Sequence, residues 1–173
     1  AIDSFKGCLA SGEANQAAAA GVRSVYPDAE IRQVTVSDGG EGFMEAFHAA
    51  IGGELVAWTV RDPLMRLVSA RYLLKDQTAV VEIAEASGLT LLTREERNPM
   101  VATSYGTGQL VADAVKKGAR HIIVGLGGSA TSDAGKGMLK ALIDIFNPNG
   151  EWDGIEALHD VRFTIASKLR SEE

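Results

Sequence analysis

The chain has 173 residues, of which 46% are hydrophobic and 23% charged, an ordinary balance for a globular protein and too little apolar continuity for a membrane-spanning helix. Its formal net charge is -6 and Lys116-Lys117 is the only adjacent basic pair, which argues against nucleic acid as a partner because phosphate contacts need clustered Lys and Arg. Cys8 is the single cysteine, so no internal disulfide or cysteine-based zinc site can form, and a reducing, cytoplasmic setting is expected.

Ala1-Ile2-Asp3 reads as the tail of a strand, with no secretory signal pattern around it. Ser11 is expected to cap a helix that carries Glu13 in its first turn and runs through an alanine-rich stretch to about Tyr26, where Pro27-Asp28 stops it. Ile31, Val34 and Val36 predict a strand that feeds the loop Ser37-Asp38-Gly39-Gly40-Glu41-Gly42. A second helix is predicted over Phe43 to Ile51, ending at Gly52-Gly53. Between Glu54 and Ile83 lie three β-like runs, spaced closely enough for antiparallel pairing. After Gly88 a loop is expected, then a helix from Thr107 to Lys117 and a strand from His121 to Val124. That strand leads into the Gly-rich loop 125–135 and a helix to Phe146. A short helical piece and a strand from Val161 to Ala166 follow, and Lys168 to Glu173 reads as unstructured. Alternating strands, Gly loops and helices of this kind are how parallel α/β sheets are written.

Both Gly-rich loops are placed after a strand and before a helix. In an open α/β sheet that is the carboxyl edge, where ligands bind. Glycine lets the backbone approach a ligand, and the helix behind it offers unpaired N–H groups to an anion. The loop 125–135 adds the hydroxyls of Ser129, Thr131 and Ser132 and the acid Asp133, which could equally cap the following helix. It is not a Walker A loop, because Ala130 takes the place of the first glycine and Gly137 follows Lys136. Gly125, Gly127 and Ala130 do match the spacing of a dinucleotide-binding loop, so an oxidoreductase stands as the alternative. An acid at the end of a second strand, about 20 residues on, is missing from that pattern. In the other loop, Asp38 and Glu41 could ligate Mg²⁺ or take a proton from a hydroxyl; the plainer roles are turn former and first-turn acid. Lys6 would bring a cation to the same edge.

Six stretches in order resemble the bacterial glycerate kinase family: Asp3-Ser4-Phe5-Lys6-Gly7, Ser37 to Gly42, Glu82 to Leu89, Arg97-Asn98-Pro99, Thr103 to Gly108, and Gly125 to Gly135. The resemblance covers roughly the first 140 residues. It implies a kinase that uses ATP and Mg²⁺ to phosphorylate a hydroxyl of D-glycerate, the 2-position being preferred, with small molecules as partners and a homodimer compatible with the family. It also implies an α/β fold, a Rossmann-like parallel sheet with helices on both faces plus part of a second α/β domain with some antiparallel strands. The division is into an incomplete N-terminal Rossmann-like part over 1–85 and part of the second domain, carrying the Gly-rich loop 125–135, over 86–173. Family chains are about twice this length, so the piece is expected to be inactive alone; a purely structural half is the non-catalytic alternative. Within the resemblance, Gly127, Gly128, Ser129 and Thr131 would cradle a phosphate or the glycerate carboxylate, with Ser4, Gly39 and Gly40 as further contacts. Lys6 would neutralise phosphoryl charge, and Asp38 with Glu41 would hold Mg²⁺ or orient the acceptor hydroxyl. Arg97 would clamp the carboxylate, and Asp133 would be a base or a cap.

Overall fold

The computed structural model describes residues 1–3, 5, 8–149 and 156–166. Helices α1 (Ser11–Val25) and α2 (Phe43–Ile51) precede a single five-stranded sheet. Its strands, in spatial as well as chain order, are β1 (Glu54–Arg61), β2 (Leu67–Lys75), β3 (Thr78–Glu82), β4 (His121–Gly125) and β5 (Arg162–Ala166). The first two pairings are antiparallel and the last two parallel. Between β3 and β4 run α3 (Ile83–Ser87), a 3₁₀ turn at Leu89–Leu91 and α4 (Tyr105–Lys116); α5 (Lys136–Phe146) lies between β4 and β5. No helix among the described residues is long and apolar enough to cross a membrane.

Strand alternation sorts the core into two layers. Tyr72, Ala79, Val81, Ile122 and Val124 turn to one face and pack with Leu110, Val111 and Leu142 of α4 and α5. Leu73 and Val80 turn to the other and pack with Phe43 and Met44 of α2, joined by Ile123. Helices on both faces of an α/β sheet are as expected, and so is the antiparallel section between Glu54 and Ile83. Local chemistry closes its first turn. The Asp62 carboxylate accepts the N–H groups of Leu64 and Arg66 at 2.8 and 2.9 Å and the Arg66 guanidinium at 2.6 Å.

Several elements differ from the sequence reading. Residues 31–36 belong to no strand, and neither do Ala1-Ile2-Asp3. Val34 and Val36 are largely exposed, and side chains of α1 satisfy this backbone instead of a ladder: Asn15 donates to the Val34 carbonyl at 2.9 Å, and the Ser11 hydroxyl accepts the Val36 N–H at 3.3 Å. Ser11 is therefore not the cap of α1. Ala10 holds that position, and the Glu13 carboxylate accepts its N–H at 3.0 Å. Ile83, expected to end a strand, opens α3. Leu89–Leu91 forms a 3₁₀ turn where a loop was expected.

Candidate active site

Two Gly loops far apart in the chain meet backbone to backbone at the carboxyl edge of the sheet. The N–H of Gly127, two residues beyond β4, donates to the carbonyl of Gly39 at 2.7 Å. A Cβ on Gly127 would lie 2.2 Å from the Cα of Gly40, so only glycine permits the contact. The same holds at Gly125, where a Cβ would lie 2.6 Å from the Phe43 ring. The loop Ser37 to Gly42 thus reaches the edge although no strand of its own delivers it.

A third segment joins them. The Leu89 N–H donates to the Gly128 carbonyl and the Ala130 N–H to the Ser87 carbonyl, both at 2.9 Å. These bonds hold the tip of loop 125–135 against the end of α3. Between them, the Ser129 hydroxyl lies 2.9 Å from that of Thr131 and accepts the Thr131 N–H at 3.0 Å. The turn thereby presents an exposed Gly128 beside two hydroxyls. Below it, Ser87 and Thr107 share a buried hydroxyl–hydroxyl bond of 2.8 Å that ties α3 to α4.

Asp133, at the far end of the loop, is committed to structure. Its carboxylate accepts the N–H and the hydroxyl of Ser104, both at 2.8 Å, and the N–H groups of Gly137 and Gly135 at 3.0 and 3.1 Å. Burial works to raise its pKa, but those bonds outweigh burial and hold the carboxyl below its ordinary value. Four accepted hydrogen bonds and a depressed pKa suit a helix cap and make a weak base.

The profile of the Glycerate kinase family matches residues 1–172. The chain belongs to that family. It is 48% identical over 145 residues to the glycerate 2-kinase of Escherichia coli (strain K12), covering 82% of this chain and 38% of the relative. With the glycerate kinase of Bacillus subtilis (strain 168) the identity is 44% over 144 residues, at the same coverage. A crystal structure of putative glycerate kinase 2 from Salmonella typhimurium LT2 superposes with a TM-score of 0.68 at 42% identity, covering 81% of this chain and 38% of that one. The chain therefore spans well under half the length of these relatives.

Of the residues expected to act in a glycerate kinase, the fold gathers Gly39, Gly40, Gly127, Gly128, Ser129 and Thr131 along one edge. Asp38 stands beside them, its carboxylate accepting the Gly40 N–H at 3.2 Å, and Glu41 is exposed in the turn that enters α2. Arg97 is exposed, and its guanidinium reaches the Leu89 carbonyl at 3.5 Å, one residue contact away from Gly128. Ser4 and Lys6 lie outside the described residues. No group of three His, Cys, Asp or Glu side chains forms a ready-made metal cage among the described residues. Two buried groups lie inside the resembling stretches with no role expected of them. One is Ser104, whose hydroxyl donates to Asp133 and accepts the Met138 N–H at 3.0 Å. The other is Glu82, 5% exposed at the end of β3, whose carboxylate accepts the Met44 N–H at 3.3 Å.

Proposed function

We propose that this chain forms part of an ATP-dependent glycerate kinase that transfers the γ-phosphoryl group of ATP to D-glycerate, at the 2-hydroxyl. The observation that carries the reading is the 2.7 Å bond from Gly127 to Gly39. It brings the hydroxyl-bearing loop 125–135 and the carboxylate-bearing loop 37–42 together at one edge, which supports the reading. Phosphoryl transfer needs little covalent chemistry from the protein and depends on positioning and charge neutralisation. In this reading Gly128, Ser129 and Thr131 donate to a phosphate or to the glycerate carboxylate, with Gly39 and Gly40 lining the approach. Lys6 neutralises phosphoryl charge, Ser4 is a further substrate contact, and Arg97 pairs with the carboxylate. Asp38 orients the acceptor hydroxyl and takes its proton, while Asp133 holds the loop in shape.

The donor set at the mouth of the Ser37 to Gly42 loop fits Mg²⁺. Asp38 and Glu41 offer hard carboxylate oxygens, and Mg²⁺ commonly takes one or two of these with water and substrate phosphates. When bound there it would supply charge neutralisation at the phosphates. The dinucleotide alternative finds no support in the fold's next strand, because β5 ends at Ala166 and brings no acid to the edge.

By the same reading the 173 residues alone are inactive, since relatives are far longer and transfer draws on groups converging from several sides. The test is a coupled assay for ADP release with D-glycerate and Mg-ATP, run on this chain and on the full-length gene product, with the product identified by NMR. Glycerate-dependent turnover by the longer protein alone, yielding 2-phosphoglycerate, is expected. No turnover by the longer protein would sink the kinase reading; turnover by the short chain would sink the claim that it is incomplete as a catalyst.

A further inference from the structure

Helix α2 begins without a cap of its own. Its N-cap residue is Gly42, in the left-handed region at φ 83°, and glycine has no side chain to accept the N–H groups of the first turn. The partner comes from the sheet. Register pairs Glu82 with Gly125 and Gly125 with Ala166, so these three residues form the last row of the edge. By alternation that row faces α2, as Val80 and Ile123 do two residues earlier. Gly125 leaves room there for the Phe43 ring, and Glu82 fills the adjacent place with a carboxylate whose Oε2 accepts the Met44 N–H. The Phe43 N–H is satisfied within the loop, by the Gly40 carbonyl at 3.1 Å, so Glu82 serves the next donor of the turn. Helix α5 repeats the device, starting on left-handed Gly135 at φ 77° and borrowing Asp133. Each Gly loop therefore runs into a helix that a displaced carboxylate must cap.

We propose that Glu82 is a positioning residue of the kinase site. From the end of β3 it caps α2 and so holds the Ser37 to Gly42 loop, with Asp38, against Gly127. Glu82 is too deeply covered to touch substrate, so it acts through the loop. The inference rests on that loop being part of the kinase site, and the test separates the two.

The test uses the full-length protein with Glu82→Ala and Glu82→Gln, and reads hydrogen exchange by mass spectrometry together with steady-state kinetics. In Glu82→Ala, amides of residues 37–47 should exchange at least ~10-fold faster while those of 105–116 keep wild-type protection. kcat should fall at least ~10-fold, more than KM changes for either substrate. Glu82→Gln keeps an acceptor oxygen in place and should restore both protection and most of kcat. If Ala does not yield folded protein, Glu82→Asp, one methylene short, should show the same local loss. Wild-type protection over 37–47, or equally faster exchange throughout the chain, overturns the capping role. Local loss of protection with unchanged kcat supports the cap and overturns the loop's place in the site. Absence of glycerate-dependent turnover in the wild type removes the kinase reading, and the exchange data still decide the cap.

Discussion

Asp133 accepts both hydrogen bonds that Ser104 can donate, from backbone and hydroxyl, each at 2.8 Å, and so joins the start of α4 to the start of α5. Its removal leaves four donors without their acceptor. Asp133→Ala should cost about 2–4 kcal/mol of stability in the full-length protein, measured by urea titration. The carboxyl is held below its ordinary 3.8, so its contribution is present at neutral pH and is lost as pH falls through the lower folded value. Asp133→Asn should lack that acid-side loss. A variant as stable as wild type at pH 7 would show that Ser104 and Gly137 find other partners.

Gly127→Ala probes the junction of the two loops. The added methyl would meet the Cα of Gly40 at 2.2 Å and its nitrogen at 2.6 Å, both backbone atoms that cannot rotate away. The loops must separate, at a cost of about 1–3 kcal/mol. Glycerate kinase activity of the full-length protein should fall at least ~100-fold, because a shift of an ångström at a reacting centre can cost that much. Activity near wild type would mean that the Gly39–Gly127 contact is dispensable.

Asp38→Asn keeps shape and removes charge. If Asp38 takes the proton of the acceptor hydroxyl or ligates Mg²⁺, kcat should drop by about 10²–10⁴-fold in the full-length enzyme. A normal kcat would leave Asp38 as a turn residue, its carboxylate accepting the Gly40 N–H at 3.2 Å.

Burial pushes Glu82 from its ordinary 4.5 up to about 7, against the N–H bond from Met44 and with help from nearby Glu45 and Glu85. Both of those acids are paired with Arg71. The folded state thus holds the Glu82 proton more tightly than the unfolded chain. Its stabilising contribution is complete below about pH 4.5 and is lost as pH rises through 7. Glu82→Gln stays neutral throughout, so its stability should be flatter over that window and exceed wild type by up to about 3 kcal/mol at pH 8. Parallel stability–pH curves for the two proteins would show that Glu82 titrates normally.

The sequence made α1, α2, α4, α5 and β4 legible because each has a strong periodic or compositional signal bounded by Gly or Pro. Val34 and Val36 misled for a physical reason: β-branched residues with spacing two suit a strand, but their backbone partners are Asn15 and Ser11 of a helix. The run Val80-Val81-Glu82-Ile83, apolar except for Glu82, concealed the switch from β3 to α3, since periodicity cannot separate a buried strand from the first turn of a buried helix. At the candidate site, the Gly positions and hydroxyls could be read from spacing. Glu82 could not, because its partner Met44 is distant in sequence and glutamate is ordinarily solvated.

The change of sense at β3 bears on the order in which the molecule assembles. The antiparallel β1–β2–β3 section is closed by two tight turns, so its contacts are local and inexpensive in chain entropy. The parallel pairings of β4 and β5 must wait for the intervening helices to dock, and non-local contacts of that kind form slowly. The bond from Gly127 to Gly39 is more remote still, since it links the loop before α2 to the loop after β4. A folding chain would therefore acquire its meander first and bring the two glycine loops together last.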